Sequence, residues 1–124
     1  MDNQNRREYF RVSFADTVAE MHILEVGQRP ITTFPRAVRL LNVSGGGLLM
    51  ESDDDLPIRR GVIAQFSFTV GGQPFSFRGT FLRKLDDREV YRYGVMYIDV
   101  DEYQRAVLLS TLSRVQLEMS RAGG

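Results

Sequence analysis

The sequence predicts a mainly β protein in which six antiparallel strands close into a barrel and a single α-helix follows at the C-terminus. Three observations carry that prediction. Apolar and polar residues alternate with a period of two through most of the chain, as they do along a half-buried strand. The alternating runs are separated by short Gly, Pro and Asp turn signals with no helical stretch between them, which favours hairpins over parallel crossover units. Only the C-terminal segment shows helical spacing. Closure into a barrel is expected because a sheet of this kind left open would expose two unpaired edges.

Residues 1–10 open as a polar, unpatterned segment (MDNQNR first) and are expected to form a flexible arm that needs tying down. The barrel is expected over 11–99. Val12 and Phe14 alternate in one phase and Met21 and Ile23 in the other, so a bulge is expected near Asp16-Thr17. Gly27-Gln28-Arg29-Pro30 marks a turn, Ala37 to Leu41 the second strand, and Leu48 to Met50 the start of the third. After the acidic Glu51 to Asp55 stretch and Pro57, the run Val62 to Val70 alternates cleanly into Gly71-Gly72, a strong two-residue hairpin signal. Phe75, Phe77 and Phe81 mark the returning strand, and a turn at Asp86-Asp87-Arg88 leads to Val90 through Ile98. The helix is expected over 100–121. Asp99 with Glu102 has the spacing of a capping box, and Leu108, Leu112, Val115 and Met119 share one face that would cover an open barrel end.

The 124 residues fit one domain, 1–124, able to bury roughly 65% of its unfolded surface. Sixteen basic and sixteen acidic side chains cancel. Net charge therefore gives no reason to expect nucleic-acid wrapping or membrane adsorption, and any electropositive site must be local. The chain has no cysteine, hence no disulfide framework and no thiolate zinc site, which suits the cytoplasm. No apolar run approaches the roughly 20 residues of a membrane-spanning helix.

Two clusters carry the chemistry. Arg6-Arg7-Glu8-Tyr9-Phe10-Arg11 masses three guanidinium groups, whose planar forks pair with phosphate or with the O6 and N7 of guanine, and whose faces stack on bases. In an extended arm Arg7 and Arg11 lie about 13 Å apart, too far to grip one phosphate rigidly. Asn42-Val43-Ser44-Gly45-Gly46-Gly47 offers an amide, a hydroxyl and a glycine turn whose backbone donors can approach a ligand closely. Asn42 can accept from guanine and donate to its O6. Arg83 and Arg92, on late strands, are candidates to complete the site. Together these groups suit an anionic, guanine-like ligand.

Other constellations carry less. The single His22 has no metal-ligand partner at useful spacing, Asp53-Asp54-Asp55 lacks the glycine and glutamate of an EF-hand, and Gly45 to Gly47 is followed by no lysine and no helix as a P-loop would be. No metal site and no nucleophile with its base can be assembled, so a receptor is expected rather than an enzyme. Phe66, Phe68, Phe75 and Phe77 could form a stacking platform for single-stranded nucleic acid, but their alternation assigns them to the barrel core.

The two clusters resemble the RxxxR and (D/N)xSxxG motifs of the PilZ family, at Arg7, Arg11, Asn42, Ser44 and Gly47. A glycine inside a late strand (Gly94) and the closing amphipathic helix continue the likeness from Arg6 to about Arg121. The REYFRV variant with its double arginine resembles the flagellar-brake branch most. This resemblance implies a PilZ-type barrel that binds cyclic di-GMP through Arg6, Arg7, Arg11, Asn42, Ser44, Gly45, Gly46 and Gly47; its motifs do not fix Arg83 or Arg92. It implies an intercalated ligand dimer where the double arginine is present, an arm that changes conformation on binding, and a flagellar motor component or polysaccharide synthase as protein partner. Aspartate is the commoner family residue at position 42. A ligand-free scaffold and a nucleic-acid-binding small barrel are the alternatives, and a homodimer or membership of a longer protein is left open.

Overall fold

The computed structural model describes residues 9–87 and 89–123. Its strands are β1 (Arg11–Val26), β2 (Arg29–Pro30), β3 (Arg36–Ser44), β4 (Gly47–Ser52), β5 (Val62–Val70), β6 (Gln73–Asp87) and β7 (Val90–Ile98), followed by α1 (Glu102–Gly123). All pairings are antiparallel, in the order β2-β1-β3-β4-β7-β6-β5, and β1 pairs again with β5 to close the sheet. Six long strands thus form the expected barrel, and two-residue β2 is a flap on β1. One long β1 serves both β3 and β5 because its register shifts between Ser13 and Thr17, where the sequence changes phase.

The barrel interior is filled by the inward set of each strand. Phe66, Phe68, Phe75, Phe77, Phe81, Tyr93 and Tyr97 are buried there with Met21, Leu40 and Met50. Phe77 stacks on Tyr97 with ring centroids 4.3 Å apart, and Phe66 meets Phe81 edge-on at 5.9 Å. These rings are core, so the stacking platform for nucleic acid does not exist on this barrel. Gly71 and Gly72, with φ of 56° and 79°, make the β5–β6 turn with both central residues left-handed, the pair whose twist suits a two-residue hairpin.

Helix α1 lies across the end of the barrel that carries this hairpin. Leu108 and Leu112 are fully buried, and Val115 packs at the margin. Polar bonds fix the helix laterally: Gln104 brackets Ser76, accepting from its amide at 2.8 Å and donating to its carbonyl at 2.9 Å, while Arg114 donates to the Gly71 carbonyl at 2.7 Å. The apolar stripe ends sooner than the sequence suggests, for Met119 is 48% exposed on a helix that has run past the rim. The N-cap is also displaced. Asp101, not Asp99, caps the helix: its Oδ1 accepts from the Tyr103 amide at 3.0 Å and its carbonyl accepts from the Arg105 amide. Asp99 instead turns the chain off β7 with φ of 51°.

At the opposite end, loops are pinned by single side chains. His22 Nε2 donates to the Thr33 carbonyl at 3.1 Å, and the Tyr93 hydroxyl donates to the Asp54 carbonyl at 2.6 Å while accepting from the Leu56 amide at 2.8 Å. Asp55 pairs with Lys84, which raises the lysine's pKa, and Asp54 with Arg36 at 3.2 Å, so the acidic stretch is tied into the barrel by cations. Among the described residues no cluster of His, Cys, Asp or Glu could hold a metal ion, and no helix is long and apolar enough to cross a membrane.

Denaturation separates the two aspartates. Asp101→Ala is expected to cost about 1 kcal/mol by urea or thermal melting. Asp99→Gly, which relieves a left-handed residue, should cost nothing; equal losses at both positions would contradict the cap assignment.

Candidate functional site: a cavity on the outer barrel wall

Two bulges build the site. In the β3–β4 pair the register steps from Leu40↔Met50 to Asn42↔Leu49, leaving Leu41 as an extra residue. In the β6–β7 pair it steps from Phe81↔Val95 to Arg83↔Gly94, leaving Leu82 as an extra residue. Each bulge reverses the facing of the residues after it, so Asn42 and Arg83 both come to the outer face. Leu49 pairs with Gly94, so Asn42, Leu49, Gly94 and Arg83 form one row across four adjacent strands. At about 4.8 Å per strand the two ends stand about 14 Å apart. Gly94 has a second use. A Cβ there would come within 3.2 Å of Arg83 Cγ and 3.3 Å of its Nε, so the missing side chain lets the arginine lie across β7.

Arg11 pairs with Ser44 in the next position along the sheet. Ser44 is nearly buried, and its hydroxyl is the organiser of the β3–β4 turn: Oγ accepts from the amides of Gly46 at 3.1 Å and Gly47 at 3.2 Å, and donates to the Gly47 carbonyl at 3.2 Å. The Gly46 carbonyl accepts from the Tyr97 amide at 3.0 Å. Sequence reasoning assigned these amides to a ligand; the serine has already engaged them, and what the turn offers outward is a closely approachable, side-chain-free wall. Gly47 is required by the barrel itself, since a Cβ there would overlap the Val95 carbonyl of the neighbouring strand.

These elements enclose a cavity of about 370 Å³. Of the residues singled out in the sequence, Arg11, Asn42, Ser44, Gly46, Gly47 and Arg83 line it. Gly45 does not: it turns to the other side, where a Cβ would meet Leu109 Cδ2 at 2.7 Å and Tyr9 Cδ1 at 2.8 Å. Arg6 and Arg7 lie outside the described residues. Leu48, Leu49, Leu82, Gly94, Val95 and Met96 complete the lining and were not singled out as site residues. The cavity is thus cationic at two corners, amide-bearing at a third and apolar along its floor. One row further along the wall, Glu51 accepts from Arg39 Nε at 2.8 Å and Arg92 Nε at 3.0 Å, and these bonds, that of Arg92 foremost, hold its carboxyl below the ordinary value. Arg92 is therefore engaged beside the cavity rather than in its lining.

The tie of the arm is also visible. The Tyr9 ring covers Gly45 and Gly46, and its hydroxyl accepts from Arg105 Nη1 of α1 at 3.2 Å. Part of the segment expected to be a flexible arm is therefore docked.

The model of the PilZ domain family matches residues 5–114 of this chain. The chain belongs to the PilZ domain family. No curated protein sequence matches it. Among solved structures it is similar to the Bacillus subtilis inhibitor of motility MotI/DgrA, at 18% identity and a TM-score of 0.70, with 91% of this chain and 52% of that chain covered. It is also similar to the PilZ domain of Escherichia coli YcgR, in a structure with c-di-GMP, at 18% identity and a TM-score of 0.62, with 94% and 98% covered. The chain spans about half the length of MotI/DgrA and almost the whole of the YcgR domain. At these identities the likeness establishes a shared PilZ fold.

Gly47→Ala tests the wall directly. Because the clash is with backbone, it should cost more than about 2 kcal/mol. Gly61→Ala, where a Cβ meets nothing within 4 Å but φ is 83°, should cost only about 1 kcal/mol. Urea titration of both variants makes the comparison.

Proposed function

We propose that this PilZ domain is a receptor for cyclic di-GMP that signals to a protein partner and catalyses no reaction. The observation that carries this is the convergence of Arg11, Asn42 and Arg83, from three strands, on one cavity beside the glycine turn. A doubly anionic purine dinucleotide asks for guanidinium forks for its phosphates and guanine edges, an amide to read a base, and a flat wall that bases can approach. Arg11 and Arg83 supply the forks, Asn42 the amide, and Gly46-Gly47 with Leu49 and Leu82 the wall. The likeness to the YcgR domain, whose structure is one with c-di-GMP, supports the assignment.

In this reading Arg7 joins Arg11 across the phosphates, and Arg6 adds charge and a stacking plane for a second, intercalated ligand molecule. Three guanidiniums within six residues repel one another until phosphates neutralise them, so binding folds the segment ahead of Tyr9 over the cavity and changes the surface presented to a partner. The partner is a component of the flagellar motor; the likeness to MotI/DgrA, an inhibitor of motility, supports this. Asparagine at position 42 leaves guanine recognition without a charged acceptor, so affinity is moderate. The chain's single histidine is bonded to the Thr33 carbonyl, outside the cavity lining, which leaves the site without an imidazole base.

Calorimetric titration with cyclic di-GMP tests the assignment. Arg7→Ala and Arg11→Ala should each weaken binding at least about tenfold, a loss of roughly 1.4 kcal/mol or more, while Asn42→Asp should bind at least as tightly as the unaltered chain. Unchanged heats in both arginine variants, with melting temperatures showing them folded, would exclude this site.

A further inference from the structure

The Ser44–Gly47 turn is a wall with two faces. Its outer face lines the cavity through Ser44, Gly46 and Gly47. Its other face carries the Tyr9 ring, which lies 3.2 Å from the Cβ position of Gly46 and 2.8 Å from that of Gly45, with Leu109 of α1 beside it. At Gly46 a single peptide unit separates the ligand cavity from Tyr9. Arg105 of α1 then grips the tyrosine twice, by the hydrogen bond to its hydroxyl at 3.2 Å and by the guanidinium lying 5.4 Å from the ring centroid. Glu102 holds the same Nη1 at 3.2 Å, and Arg105 Nε is buried without a hydrogen bond among the described residues. Among the described residues the polar hold on the guanidinium therefore concentrates on Nη1, where losing the tyrosine hydroxyl leaves the Glu102 carboxylate.

Tyr9 also stands two residues from Arg7 on one side and from Arg11 on the other. Whatever fixes its ring constrains the backbone leading into Arg11, which lines the cavity, and a ligand that has to order its contacting side chains loses affinity to that ordering. We propose that Tyr9 and Arg105 are positioning residues for the cyclic di-GMP site: they hold the chain just ahead of Arg11 against the inner face of the turn and transmit ligand contact on the outer face to the first turns of α1. The proposal rests on the receptor function above and names the element of the fold that senses the bound state. Neither residue needs to touch the ligand. Helix α1 becomes the output surface because its N-terminal half is the part joined to the turn, through Arg105 and Leu109.

The test uses Tyr9→Phe, which keeps the ring on the glycines and removes only the hydroxyl, Arg105→Met, which keeps volume and removes the charge, and their combination. Gln104→Ala serves as comparison, because Gln104 anchors the same helix to Ser76 without reaching the turn. Each variant is titrated calorimetrically with cyclic di-GMP, melted without ligand, and followed by hydrogen exchange along α1. Tyr9→Phe and Arg105→Met should each weaken binding roughly fivefold, and the double variant no more than either alone, since they break one link. Ligand should slow exchange in the first turns of α1 in the unaltered chain and much less in those variants. Gln104→Ala should lower the melting temperature yet bind as the unaltered chain does. Unaltered affinity in both single variants, additive losses in the double, or an equal loss in Gln104→Ala would overturn the coupling and leave the receptor function standing. Failure of the unaltered chain to bind would overturn both.

Discussion

A closed barrel must fill its interior from every strand, and that demand fixes the facing of each residue on its wall. Phe66, Phe77, Phe81, Tyr93, Leu40 and Met50 are held inward by burial worth about 1.5–3 kcal/mol for each large side chain. A one-residue slip would turn such a set outward, so register is strongly specified wherever the alternation is regular. At Leu41 and Leu82 the alternation is interrupted: one inserted residue reverses the facing of the strand beyond it and leaves the strand before it undisturbed. The candidate site is a consequence of those two insertions. Without them Asn42 and Arg83 would not share the outer row that Leu49 and Gly94 complete.

The glycine turn serves the same constraint in a different way. Gly47 leaves room for the Val95 carbonyl so that β4 and β7 can pair closely, and Ser44 satisfies the amides that this tight path would leave unbonded. Because the turn is internally satisfied it is a rigid partition. In the proposed receptor its value to a ligand lies in shape and proximity, with specificity supplied by the guanidinium and amide groups around it. In the proposed coupling, contact on one side is felt on the other, where Tyr9, Leu109 and Arg105 gather.

Much of this was legible in the sequence, for physical reasons that can be named. The bulge in β1 could be seen because Val12 and Met21 lie in opposite phases with polar residues between them. The Gly71-Gly72 hairpin could be seen because only glycine tolerates two successive left-handed residues cheaply. The bulges at Leu41 and Leu82 could not. Each inserted residue is a leucine beside an inward apolar residue, so Leu40-Leu41 and Phe81-Leu82 read as apolar runs in which the change of phase is hidden. For that reason the sequence marks Arg83 only as a candidate, level with Arg92, and Leu49, Leu82 and Met96 not at all, while Gly94 stands out as a glycine in a strand without showing its partner Arg83. Ser44 was found by residue type, but whether its hydroxyl faces a ligand or its own turn depends on the backbone path to Gly47, which composition does not encode. The sequence puts the helix cap two residues early because Asp99 and Asp101 are equally good capping side chains; the positive φ of Asp99 and the hydrogen bond from the Tyr103 amide to Asp101 separate them.

One outer row, Asn42, Leu49, Gly94 and Arg83, together with Arg11 and the Ser44 to Gly47 turn, is on this reading where the PilZ domain meets its ligand. Backbone amide resonances followed by NMR during titration with cyclic di-GMP address that claim most directly. The largest shifts are expected on those positions, spreading to Tyr9 and the start of α1. Shifts confined to another face, such as the open groove between Asp16–Glu20 of β1 and Ser67–Thr69 of β5, or no shifts at saturating ligand, would contradict it.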